Sequence, residues 1–178
     1  MGKMKGIGMI LTVKTLRTMR ARSERVLEPE LLPFLDEKVL PSNWYDEDDF
    51  MGLLEALVRI LPPQLDIWEW VGAAGAEADF NTVYSAFVQK GRPEFAISRY
   101  PRIWRLYHDN GGLEVKLDRD RGTIDGTGYM LQNPNFARLQ AGHFRRLLEL
   151  GGARDVAVRL VRPATGSSPG RWDLAWQV

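Results

Sequence analysis

A chain of 178 residues and 20.3 kDa has the length of one domain, and 44% apolar with 26% charged residues supply both a core and a wet surface. The 24 basic and 23 acidic side chains leave +1, so no bulk field draws the molecule to nucleic acid or an anionic membrane. The absence of cysteine excludes disulfides, thiolate catalysis and sulfur-ligated zinc.

The apolar run Gly6 to Val13 is closed at once by Lys14, Arg17, Arg20 and Arg22, with no small-residue cleavage site. Gly2 lacks the Ser or Thr that a myristoylation signal places where Gly6 stands, and no stretch approaches the ~18 apolar residues of a membrane span. The expected location is cytoplasmic.

Ile10, Leu11, Val13, Leu16 and Met19 recur at three- and four-residue steps and predict a first helix. Glu28 to Leu40 predicts a second, with Pro29 suited to a first turn and Pro33 opposed to it. Trp44-Tyr45 reads as an extended anchor. Asp46 is the expected N-cap of a helix whose first turn holds Glu47, Asp48 and Asp49, and whose stripe from Phe50 to Leu61 ends at Pro62-Pro63. Leu65 to Ala76, Asp79 to Gln89 and Ala96 to Tyr107 predict three further helices, Asp79 capping the second.

At Asn110-Gly-Gly the period changes. Leu113, Val115 and Leu117 alternate with charged residues as in a half-buried strand. Arg121-Gly122 reads as a turn and Ile124 to Leu131 as a second strand. Asn133-Pro134 opens a helix carrying Phe136, Leu139, His143, Leu147 and Leu150 on one face, stopped by Gly151-Gly152. Strands follow at Val156 to Leu160 and at Trp172 to Val178. The order β-β-α-β-β predicts an antiparallel sheet and an α+β single domain, residues 1–109 mainly helical and covering the sheet of residues 110–178.

Local motifs for chemistry are few. The run Asp46 to Asp49 suits helix capping better than a divalent cation, because successive helical residues point apart. Asp118, Asp120 and Gly122 echo a calcium loop, but Gly122 stands where a ligand belongs and Tyr129 where its bidentate Glu should be, so they read as a strand turn. Gly6-Ile-Gly8 and Gly126-Thr-Gly128 complete no nucleotide-binding fingerprint. No catalytic residue and no metal site is assigned. His108 is read as a helix-terminal histidine and His143 as a core or interface one. Six tryptophans are many for this length; Trp172 and Trp176 share a strand face. Trp44, Tyr45, Trp68, Trp70, Trp104, Tyr107 and His108 are the candidate residues for binding a ligand or partner. The first 25 residues hold seven basic side chains against Glu24 alone, read as pairing with the acidic stretch that follows rather than as a nucleic-acid patch.

Lys5-Gly6, Leu40-Pro-Ser-Asn-Trp-Tyr, Gly91-Arg-Pro-Glu-Phe, Tyr100-Pro-Arg-Ile-Trp-Arg-Leu-Tyr and Leu150-Gly-Gly-Ala-Arg-Asp-Val together resemble a family of bacterial proteins found as many paralogues in myxobacteria. That family is similar to the superfamily of haem-nitric-oxide-binding domains, 4-vinyl reductase domains and TRAPP-complex subunits. The resemblance covers nearly the whole chain. It implies a ligand- or partner-holding module, often dimeric, with helices over an antiparallel sheet. Haem-binding members carry an axial histidine, in a region comparable to His108, and a Tyr-x-Ser-x-Arg motif, which is absent here. The expectation is therefore no cofactor, haem included. The expected function is a non-enzymatic sensory or scaffolding module for a protein partner, a small apolar ligand or a second copy. The alternatives are acid–base catalysis by His108 with Asp109, and nucleic-acid binding through the basic N-terminus.

Overall fold

The first fifty residues are shaped by what proline and glycine permit. In the computed structural model, which describes residues 2–63 and 66–178, β1 (Lys3–Lys5) leads through a 3-10 turn into α1 (Ile10–Thr18) and α2 (Arg20–Ser23). The expected helix Glu28 to Leu40 is instead a 3-10 helix over Pro29–Leu35. Pro33 removes the hydrogen bond that an α-helix needs there, and the i→i+3 pattern tolerates the loss. β2 (Trp44–Asp46) pairs antiparallel with β1, Met4 opposite Tyr45, and α3 (Glu47–Ile60) follows directly.

α4 (Ile67–Phe80) is one helix across the predicted break. Asp66, not Asp79, is its cap, accepting from the Glu69 N–H at 3.1 Å; Asp79 lies inside the last turn, and only a 3-10 turn at Ser85–Phe87 remains of the expected helix to Gln89. The predicted start at Leu65 lies outside the described residues. α5 (Pro93–Tyr107) carries Pro101 in its interior. β3 (Gly112–Asp118) and β4 (Arg121–Thr127) form a hairpin. Its turn falls at Arg119-Asp120, with Arg119 left-handed at φ 53°, and not at Arg121-Gly122, which are already paired in the ladder. β4 ends at Thr127, and Met130–Gln132 is a 3-10 turn rather than strand. α6 (Pro134–Leu150), capped by the Asn133 carboxamide, leads to β5 (Arg154–Arg162) and β6 (Gly170–Gln177). Within these boundaries the expected β-β-α-β-β order and the α+β class stand.

The chain gathers into two compact units, residues 1–65 with 106–110, and residues 66–105 with 111–178. In the first, α1 and α3 bury Met9, Val13, Leu16, Leu53, Leu54 and Leu57. The buried Ser23 hydroxyl donates to the Leu16 carbonyl at 2.7 Å. Arg20 forks onto Asp36 at 2.7 and 3.1 Å, and Arg17 donates to the carbonyls of Phe34 and Glu37, so these N-terminal cations are held within the unit.

In the second unit the sheet runs β3-β4-β6-β5, antiparallel throughout. β6 is central and alternates: Trp172, Leu174 and Trp176 point inward and are buried. The Trp172 indole donates to the Ala137 carbonyl at 3.0 Å and takes the Phe144 ring edge-on at 5.5 Å. Within this unit α6 is a layer against the sheet, because the helix between two hairpins folds back on its own strands. α4 lies against α6 at backbone contact. A Cβ on Gly72 would stand 1.9 Å from the Leu139 carbonyl oxygen, and one on Gly142 1.9 Å from that of Glu69. Arg138–Asp66 at 2.8 Å and Arg145–Glu69 at 2.7 Å flank the crossing. No helix among the described residues is long and apolar enough to cross a membrane.

This crossing predicts opposite outcomes for two glycines of one helix. Gly72→Ala must spread α4 from α6 and should cost about 1–3 kcal/mol in urea unfolding, as overpacking does. Gly75→Ala, where an added Cβ meets nothing within 4 Å, should stabilise by about 0.5–1 kcal/mol through helix propensity.

Candidate functional site

A carboxylate at the first position of a helix ordinarily sits in water beside the positive end of the dipole. Glu47 does not: it is 0% exposed. Its Oε1 lies 2.6 Å from Nδ1 of His108, itself 8% exposed, and its Oε2 accepts from the Asn110 carboxamide at 3.1 Å. The backbone explains the burial. β1 has β2 on one side and the segment after α5 on the other, where Met4 bridges His108 and the Asp109 N–H donates to the Lys3 carbonyl at 3.0 Å. The Glu47 N–H donates to the Gly2 carbonyl at 3.0 Å. A Cβ on Gly2 would stand 2.1 Å from Glu47 Oε2, so a side chain there would have to displace this carboxylate. Chain start, α3 and the end of α5 are therefore knotted around one imidazole–carboxylate contact.

Asp109, the expected partner of His108, is engaged elsewhere. Its Oδ1 accepts from the Lys3 N–H at 2.7 Å and from Asn110 at 3.0 Å, and the Lys3 hydrogen bond above all holds its carboxyl below the usual carboxylate range. Glu47, read from sequence as a capping residue, is the carboxylate that faces the imidazole. Asp46 is at the N-cap position without a side-chain capping bond and pairs with Lys3 at 3.5 Å. Burial, then Asp46 and Asp48 nearby, raises the Asp49 carboxyl above its ordinary value. Among the described residues no group of three or more His, Cys, Asp or Glu side chains could hold a metal ion.

The seven residues singled out from sequence are divided between the two units. Trp44, Tyr45, Tyr107 and His108 belong to the first unit, and Trp68, Trp70 and Trp104 to the second. Trp44 is exposed beneath the Lys5 ammonium, 4.1 Å from its ring centroid. The Tyr45 hydroxyl accepts from the Leu40 N–H at 2.8 Å. Tyr107 lies against Gly8, with its ring 6.4 Å from that of His108. Trp68 and Trp104 are core, while Trp70 is exposed.

The other histidine has a different environment. His143 on α6 stands edge-on to Phe80 at 5.8 Å and Tyr100 at 5.4 Å. Its Nε2 is buried with no hydrogen-bond partner among the described residues, and burial pushes the imidazole down to about 4. The Tyr100 phenol donates to Gln140 at 3.2 Å; burial, with Asp79 nearby, raises it above its ordinary range.

No family model matches the chain, and no curated protein resembles it in sequence. Solved structures do share its fold. One titled as probing haem distortion in the H-NOX family is 14% identical, with 98% of this chain and 96% of that one covered at a TM-score of 0.72. A mutant of the T. tengcongensis H-NOX is 15% identical over 98% of both chains, TM-score 0.69. An oxygen-binding H-NOX domain related to soluble guanylate cyclases, solved as its oxygen complex, is 13% identical over 93% and 90%, TM-score 0.65. These identities establish the fold. The expectation of no cofactor is corrected here: a structure of this fold is titled for its haem, and haem becomes the cofactor to be tested against the residues present.

Two outcomes follow from the buried groups. Glu47→Leu removes the carboxylate that faces His108 Nδ1 and accepts from Asn110 and should cost about 3–5 kcal/mol in denaturant unfolding, the range for breaking a buried pair from one side. The lowered His143 value means that the unfolded chain binds the extra proton first. This group's contribution is complete above about pH 6.5 and is lost as pH falls toward 4, at about 1.4 kcal/mol per pH unit. His143→Phe should flatten that part of the stability profile without loss at pH 7.

Proposed function

We propose that the chain is a non-enzymatic sensory module that would hold haem, with His108 as the residue that would ligate its iron. The observation that carries this reading is the buried 2.6 Å contact between His108 Nδ1 and Glu47. An imidazole that ligates a metal ordinarily gives its other ring nitrogen to a carboxylate or carbonyl, which fixes tautomer and orientation and strengthens the donor. In that respect the donor set fits haem iron, which a single histidine commonly holds. Bound haem would supply a site for a small gas.

The protein's own part is to hold the imidazole. Glu47 fixes the ring from behind, Asn110 fixes Glu47, and the backbone ties to Met4 and Lys3 fix the segment that carries the histidine. A helix end restrained in this way passes any displacement of the imidazole to β1 and α3, which is what a sensor requires. The sequence contains no Tyr-x-Ser-x-Arg motif, so no residue is assigned to the propionates. The kinship with 4-vinyl reductase domains and TRAPP subunits, and a protein partner that reads the module's state, belong to the same proposal and rest on the sequence motifs.

Haemin titration of the purified chain should give a saturable one-to-one complex with a shifted Soret band. His108→Gly should abolish it and added imidazole restore it. A wild-type chain without saturable binding, or a His108→Gly variant that binds as the wild type does, overturns the reading.

A further inference from the structure

The carboxylate behind His108 has neutral company. Glu47 is 0% exposed, and its Oε1 lies 2.6 Å from His108 Nδ1, the short distance of a charge-assisted contact. Its Oε2 accepts from the uncharged Asn110 carboxamide at 3.1 Å. Among the described residues no lysine or arginine pairs with Glu47; Lys3, on the strand beside it, is engaged by Asp46 at 3.5 Å. Away from water a charge acts more strongly on its neighbours than it does at the surface, and here the neighbour is the imidazole. Asp109 offers the contrast. It adjoins His108 in sequence, but it is exposed and turned to the Lys3 N–H at 2.7 Å, where solvent screens it.

Resting on the haem reading above, we propose that Glu47 is a positioning residue that sets the oxidation state of iron bound at His108, and through it the condition under which the module answers a neutral gas. Ferric iron carries one positive charge more than ferrous iron, so a buried negative charge behind the histidine favours the oxidised state. The hydrogen bond acts in the same direction, because it makes the imidazole a stronger donor. Carbon monoxide binds the ferrous state, and the apparent affinity of a ligand falls with the share of the state that takes it. The redox poise of the surroundings therefore gates the response, and Glu47 determines where that gate lies.

Spectroelectrochemical titration of the haemin-loaded full chain tests this. Glu47→Gln keeps the shape of the side chain and removes its charge. At a fixed potential it should raise the ferrous-to-ferric ratio at least tenfold, a midpoint shift of about 59 mV upward, and it should strengthen carbon monoxide binding at a fixed redox poise. Asp109→Asn removes the same charge from an exposed position and should change the ratio by less than about threefold, as screening requires. Asn110→Ala leaves the carboxylate to the imidazole alone and should move the midpoint downward. A merely structural loss does not predict that opposite sign, and it decides the matter if the Glu47→Gln chain does not fold. In the haem-free chain, nitrogen-15 NMR should find the His108 proton on Nδ1, facing Glu47.

A wild type that takes up no haemin overturns the haem reading and this inference with it. Three results overturn this inference alone: a Glu47→Gln shift no larger than that of Asp109→Asn, an Asn110→Ala shift that is absent or upward, or a His108 proton on the other ring nitrogen.

Discussion

The first unit turns on a buried carboxylate and the imidazole it faces. Taking Glu47 out of water is costly unless each oxygen finds a donor, and the chain meets that demand with residues far apart in sequence. His108 lies 61 positions away and Asn110 63. To bring them there, β1 must lie between β2 and the residues after α5, and Gly2 crosses the carboxylate without a side chain. Loss of the contact therefore acts on three elements together. That dependence makes it a means of coupling an event at His108 to the start of the chain.

The second unit is organised by close approach rather than by buried charge. α6 meets the sheet through Trp172 and Phe144, α4 through two glycines, and α5 through Tyr100. The arginines of α6 hold the acids of α4 at the rim of that contact. Packed cores of this kind shift between discrete arrangements rather than deforming gradually.

Much of this was legible in the sequence, for local reasons. The two-residue alternation of Leu113 to Leu117 and Trp172 to Trp176, the Asn133-Pro134 helix start and the Gly151-Gly152 stop gave the β-β-α-β-β half, because period and capping are short-range signals. Asp79 misled, since a capping residue type inside a helix looks the same as one at its start; only the tertiary contact with α6 carries α4 past it. Glu47 misled for a related reason. Three acids behind Asp46 read alike as dipole-favoured first-turn residues, and nothing local shows that one of them is buried. Its partner could have been suspected only by asking which acid His108 might meet, and proximity in sequence favoured Asp109. The likeness to haem domains, by contrast, lies in the whole path of the chain at 13–15% identity, where few residues carry it.

The register irregularities of β5 between Arg154 and Ala157 and between Leu160 and Arg162 fall on one outer strand, and the outer strand opposite, β3, sets Glu114, Lys116 and Asp118 along its exposed side. Irregular pairing twists a border away from flatness, and charged side chains make the other border hostile to an incoming ribbon. The sheet is thereby closed to growth by backbone addition, so neighbouring molecules in a crowded solution meet it through side chains and are turned away from fibrous assembly.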